Sequence, residues 1–292
     1  MLDSNAWKKN EPRLHFPIFA GMESYVDITI QQPLKVTLKK FLAPLYYLLK
    51  KQKTFLAVLR DYYILIANPP YRFKAIFVDH KGNQLISEVF HENYSAGDYF
   101  NLNVTKWLAS HNCQSKDGVF ILIANHGRPD LFGSSPGNAT LTVLNRKVVA
   151  GYRTGFFSRP LNDGKKHYGF TGLNPQVQID KISIASLLLI NHSSNPLYNQ
   201  FVNPKVRLYR NPKEYIEADF GEIPPHSFRE KTILELFPDC ELFLESTNGQ
   251  GYSITKLKGA TLASIHILRS RNGDLLSMEH SRPSHPNVIN YF

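Results

Sequence analysis

The side chains best able to do chemistry collect at two places in the sequence. One is Tyr152-Arg153-Thr154-Gly155-Phe156-Phe157-Ser158-Arg159 with Lys165-Lys166-His167-Tyr168 after it, and the other is Glu279-His280-Ser281-Arg282-Pro283-Ser284-His285. A guanidinium fork meets a carboxylate, sulfate or phosphate with two parallel hydrogen bonds. Arg153, Arg159 and Arg282, supported by His167 and Tyr168, are therefore candidate ligands for an anion. Glu279 and His280 are the candidate proton carriers, because imidazole titrates near neutrality and a carboxylate can act as its partner. No nucleophile or oxyanion donor can be assigned beside them. The structural alternative is that the arginines bond backbone carbonyls or pair with acids at a domain junction.

His266, His280 and His285 with Glu279 form the one metal-ligating set of the C-terminal third. Strand alternation puts Glu279 and His280 on opposite faces, so they cannot ligate one ion without a bulge, and no metal is assigned. No cofactor is indicated either: a Gly-rich phosphate loop, a GxSxG elbow, an HExxH helix and paired CxxC motifs are all missing from the sequence. Residues 79–83, Asp-His-Lys-Gly-Asn, lack the oxygen ligands and final glutamate of a calcium loop and read as a hairpin turn.

The elements that must position these residues read as strands. Residues 74–78 lead into that turn, and 84–90 resume an extended pattern, which predicts a hairpin. Residues 205–209 and 215–220 predict a second one across 210–214. The corner at 223–227 contains Pro224-Pro225 and cannot sit in a central strand. Helical stretches are short, such as 233–237. Turn signals every eight to twelve residues point to antiparallel β-sandwiches.

A weak internal repeat organises the chain. Asn68 and Asn191 each close an apolar run 123 residues apart, Ser158-Arg159-Pro160 returns as Ser281-Arg282-Pro283 at the same offset, and 119–123 matches 241–245 at 122. The expectation is a mainly β protein of two tandem antiparallel β-sandwich domains produced by duplication. Residues 61–175 form the first repeat with its linker, 176–292 the second, and 1–60 a basic extension of strands plus a short apolar helix with no counterpart in the repeat. Val26, Ile28 and Ile30 alternate as a strand, with Leu34, Val36 and Leu38 continuing after Pro33. Residues 41–49 are apolar nearly all round and flanked by Lys39, Lys40, Lys50, Lys51 and Lys53, which suits either a packed helix with snorkelling lysines or an interfacial membrane anchor.

Charge narrows the partners. Of the net +10, +6 falls in residues 1–60, +4 in 61–175 and none in 176–292. A nucleic-acid module would spread basic residues and aromatics over one face, so an anionic small molecule, a glycan or a membrane surface is favoured over nucleic acid. Two cysteines, Cys113 and Cys240, cannot build a disulfide framework, and residues 1–16 lack an apolar leader core. No run reaches the 18 apolar residues of a membrane span. The expected location is the cytoplasm, possible at a membrane periphery, and the triplets at Asn93, Asn103, Asn138 and Asn191 are read as unused glycosylation signals. Two function classes follow: a non-catalytic binding or assembly protein recognising an anionic ligand or surface, and an enzyme with its pocket between the two domains.

Overall fold

The computed structural model describes residues 13–30, 70–114, 117–125, 138–145, 148–155, 169–191, 198–258, 260 and 262–280. The apolar segment 41–49 and the landmarks Asn68, Ser158 and Ser281 lie outside them. Among the described residues the chain is mainly β, with four four-stranded antiparallel sheets. Sheet I runs β1 (Arg13–Ile18), β6 (Gly118–Asn125), β3 (Arg72–Asp79), β4 (Gln84–Val89). Sheet II runs β5 (Tyr99–Asn103), β2 (Glu23–Thr29), β7 (Asn138–Asn145), β8 (Val148–Gly155). Sheet III runs β12 (Glu214–Asp219), β11 (Lys205–Asn211), β14 (Gln250–Lys258), β9 (Gly169–Gln178). Sheet IV runs β13 (Ser227–Thr232), β10 (Ser183–Asn191), β15 (Ala263–Ser270), β16 (Leu275–His280). Helix α1 (Val104–Ser110) lies between β5 and β6, and α2 (Ile233–Leu236) and α3 (Cys240–Leu244) lie between β13 and β14. Moving every strand of sheets I and II eight places along the chain reproduces the orders of sheets III and IV.

Burial follows from how many faces of each strand are covered. On the outer strand β2, Val26 and Ile28 are buried while Tyr25 and Asp27 alternate with them toward solvent. In β3, by contrast, seven consecutive residues from Phe73 are buried, and β6 is buried from Gly118 through Ala124, which is the pattern of strands covered on both faces. Strand β10 shows how the halves join. Leu187 and Leu189 enter a core with Val206, Leu208 and Phe220 of sheet III and its turns. Leu188 and Ile190 point the other way and share the first half's core with Ile265, Ile267 and Met278. Strands β3 and β6 of sheet I and β10 of sheet IV are therefore covered on both faces, and β10 joins the two cores.

Specific contacts join the two halves at the 225–228 corner. Phe19 meets Phe228 edge-on at 6.2 Å, and the Ser227 hydroxyl donates to the His80 carbonyl at 2.6 Å. Gly82 sits at φ +89°, where a Cβ would lie 2.4 Å from the Pro225 carbonyl oxygen, so only glycine lets the β3–β4 turn approach this corner. The edge strands β8 and β16 also run side by side.

Two expectations need correction. Residues 13–29 are no extension: β1 pairs with β6, and β2 pairs with β5 and β7, so they complete sheets I and II. The match of 119–123 with 241–245 fails because the first is strand β6 and the second is mostly helix α3. Helix α3 buries Cys240 and Leu244, four residues apart, and leaves Leu242 74% exposed, which is helical rather than strand spacing. Helix α2 forms where the sequence places one, held by a capping box in which Thr232 and Glu235 satisfy each other's backbone N–H groups.

Candidate functional site

At the β9 and β16 edge of sheets III and IV the structure holds a cavity of about 260 Å³. Its polar lining comes from Asn174, Gln176 and Gln178 on β9, His266 on β15, and Ser277 and Glu279 on β16, with Ala185 among its apolar residues. Register explains why these meet. His266 lies directly opposite Glu279, and Leu268 opposite Ser277, so each pair shares a face with Cβ atoms about 5 Å apart. Glu279 is exposed at the mouth and His266 is half-buried.

Strand β9 is shaped for this position. Ser253 faces Asn174 and Gly251 faces Val177, so β9 carries one extra residue around Pro175. An edge strand tolerates both the bulge and a proline lacking an N–H, and bulges re-aim neighbouring side chains. The Asn174 Oδ1 accepts the Gln176 N–H at 3.1 Å, which orients the amide. Its Nδ2 is buried and finds no hydrogen-bond partner among the described residues, although Asn174 is only 2% exposed. A buried, unmet donor costs about 1 to 3 kcal/mol.

The first half shows what this interior would hold if it served packing alone. In sheet I the inward rows read Phe77–Phe120–Phe16 and Ala75–Leu122–Leu14, all buried, and Phe16 and Phe120 stack with centroids 6.4 Å apart. The rows at the same place in sheet III read Leu208–Ser253–Asn174 and Val206–Thr255–Gly172. Ser253 is also buried with an unmet hydroxyl. In these rows β14 and β9 carry Ser253, Thr255, Asn174 and Gly172 where β6 and β1 carry Phe120, Leu122, Phe16 and Leu14, and burying polar groups there has a cost that packing does not return.

The mouth is stiffened by Asp180 in the β9–β10 turn. Its carboxylate accepts the N–H groups of Ile182 and Ser183, both at 2.7 Å, the Ser183 hydroxyl at 3.0 Å and the Gln178 amide at 3.1 Å. Those bonds, the backbone ones first, hold its pKa down at about 2. The unfolded value is about 3.9, so the contribution is complete above that pH and is lost as pH falls toward 2. Asp180→Asn should therefore lower the melting temperature at pH 7, and the gap to wild type should close between pH 4 and pH 2. Calorimetry across that range checks it, and a gap independent of pH would refute the assignment.

The sequence-derived candidates distribute as follows. Glu279 lines the cavity. His280 ends β16 opposite Ile265, and Arg153 lies on β8 opposite Thr140. Arg159, His167, Tyr168 and Arg282 lie outside the described residues, as does His285. The set Asn174, Gln176 and Gln178 went unread in the sequence, because the bulge around Pro175 breaks the alternation that would have assigned their faces. Among the described residues there is no group of three or more His, Cys, Asp or Glu side chains able to hold a metal, and no helix long and apolar enough to cross a membrane. Burial raises the Cys240 thiol to about 11, which makes it inert.

No family model matches the chain, and no curated protein does. Among solved structures, the β-glucuronidase of Bacteroides uniformis is 7% identical over 93% of this chain and 26% of its own, with a TM-score of 0.20. A Bacteroides uniformis β-glucuronidase 2 bound covalently to a cyclophellitol-6-carboxylate aziridine is 8% identical over 93% of this chain and 26% of its own, also with a TM-score of 0.20. The chain spans about a quarter of these proteins, and at such scores the likeness carries no argument.

Proposed function

We propose that the protein is a non-catalytic binding protein and that the cavity between β9 and β16 takes its ligand. The observation carrying this is the buried Asn174 Nδ2, an unmet donor in a polar chamber where the other half packs phenylalanine. On the same reading the halves are tandem copies of one β-sandwich, supported by their matching strand orders; one copy kept an apolar core and the other gave up packing for a site. Glu279 is the one ionic side chain among the described lining residues, so this chamber disfavours an anion. The anion site expected of Arg153, Arg159, His167, Tyr168 and Arg282 is a separate proposal for a glycan, lipid headgroup or acidic partner, and the adjacency of β8 and β16 supports it.

A second reading, an enzyme, is favoured by Glu279 lying opposite His266, a carboxylate and an imidazole able to pass a proton. A ligand-observed NMR screen of small polar compounds against wild type and Ser277→Trp separates these readings. Binding that disappears when the tryptophan fills the mouth supports the chamber, and unaltered binding overturns it. A bound compound that is converted by wild type but not by Glu279→Gln would establish the enzyme instead.

A further inference from the structure

The chamber is lined mostly by uncharged groups that donate and accept, and that lining selects a ligand class. At the buried end stands a donor, Asn174 Nδ2, whose orientation is fixed because Oδ1 already accepts from Gln176. At the exposed end the Glu279 carboxylate accepts, beside Gln176 and Ser277, which both donate and accept. A ligand suited to all of them offers an acceptor inward and both donors and acceptors outward. An ammonium group offers only donors and a carboxylate only acceptors, whereas a hydroxyl is both. A volume of about 260 Å³ lies at the small end of ligand pockets, enough for a single ring.

We infer that the chamber binds one uncharged polyhydroxylated ring, a neutral pyranose unit, with Asn174 donating to a buried hydroxyl and Glu279 accepting from an outer one. This rests on the cavity being the binding site. The other polar lining fits the same ligand: Gln176, Gln178 and Ser277 can exchange hydrogen bonds with a ring bearing several hydroxyls. Discrimination comes from those polar groups, since a site built to bond hydroxyls leaves them unpaired when a mismatched group enters. A uronate also meets repulsion from Glu279.

The test uses the full chain and three probes of one ring shape: methyl α-D-glucopyranoside, methyl glucuronide and glucosamine, titrated by NMR at pH 7. The neutral glycoside should saturate and bind at least about tenfold more tightly than either charged analogue, and Glu279→Gln should weaken it about five- to tenfold. Tighter binding of a charged probe, or no binding of the neutral one, overturns the ligand class. A second readout tests the cavity reading separately. Asn174→Leu, close to isosteric and without the unmet donor, should raise the melting temperature by a few degrees while abolishing binding of whichever probe is held. A fall in melting temperature would make Asn174 a structural residue and overturn the cavity reading itself.

Discussion

Replacing Asn191 with leucine is expected to cost about 3 to 5 kcal/mol, lowering the melting temperature by about 10 °C. Asn191 ends β10 and is fully buried. Its Nδ2 lies 2.9 to 3.0 Å from the carbonyl oxygens of Gln200, Ile223 and Pro224, and its Oδ1 accepts the Tyr198 hydroxyl at 2.6 Å. One amide thus ties the end of a central strand to the 198–200 segment and to the proline corner. Leucine matches its volume but removes the donor from the Gln200 and Pro224 carbonyls and the acceptor from the Tyr198 hydroxyl, while the Ile223 carbonyl keeps only the Val202 N–H. Asn191→Asp is the more informative variant. It keeps the acceptor for Tyr198 but sets a carboxylate against three carbonyl oxygens, so its destabilisation should be larger at pH 7 than at pH 4, where protonation restores a donor. Chemical denaturation at both pH values checks this. Variants within about 0.5 kcal/mol of wild type would mean that the corner holds itself.

Asn191 also shows what can be read from a sequence of this kind. A triplet that formally signals glycosylation stands at the end of an apolar run, and the run decides the outcome: the residue belongs to a strand interior. Local patterns of this sort were legible. The hairpins β3–β4 and β11–β12, the Pro224-Pro225 corner, strand β2 from the alternation of Val26 and Ile28, and the capped helix α2 all rest on turn chemistry or side-chain period within about ten residues.

What depended on distant residues was not legible. The segment between β2 and β3 is far longer than that between β10 and β11, so corresponding strands keep no constant offset: β2 begins at Glu23 and β10 at Ser183, whereas β7 begins at Asn138 and β15 at Ala263. A search at one offset therefore aligned β6 with α3. The rows that distinguish the halves are also invisible to period alone. Ser253 and Asn174 sit where the strand pattern permits either face, and only the pairing with β11 shows that they point inward beside Leu208. Glu279 was found because its residue type can move a proton; its partner His266 was singled out for metal ligation, a different chemistry, and the register joined the two.

The edge of sheet IV that meets the first half should depend strongly on one ion pair within that sheet. Arg269 on β15 donates through Nε and Nη2 to the two carboxylate oxygens of Glu230 on β13, both at 2.5 Å, and through Nη1 to the Gly273 carbonyl at 3.2 Å. The side chains are 14% and 18% exposed, and the guanidinium lies 5.4 Å from the Phe19 ring of the first half. Removing one partner leaves the other charge largely desolvated, which costs more than the net worth of the pair. Arg269→Ala and Glu230→Ala should each cost about 2 to 4 kcal/mol, the lower end reflecting the residual exposure, and Arg269→Ala should also loosen the Phe19–Phe228 contact. Arg269→Lys should recover only part of the loss, because a single ammonium cannot satisfy both carboxylate oxygens and Gly273 in the same planar arrangement. The decisive variant is the double replacement Arg269→Met with Glu230→Leu, which removes both charges and keeps apolar volume against Phe19. It should lie closer to wild type than Arg269→Met or Glu230→Leu alone, giving a coupling energy above about 1 kcal/mol in a double-mutant cycle run by urea denaturation. Additive losses would show that the two charges are not coupled and that apolar packing of Leu188, Ile190, Ile265 and Ile267 holds the two halves together without the pair.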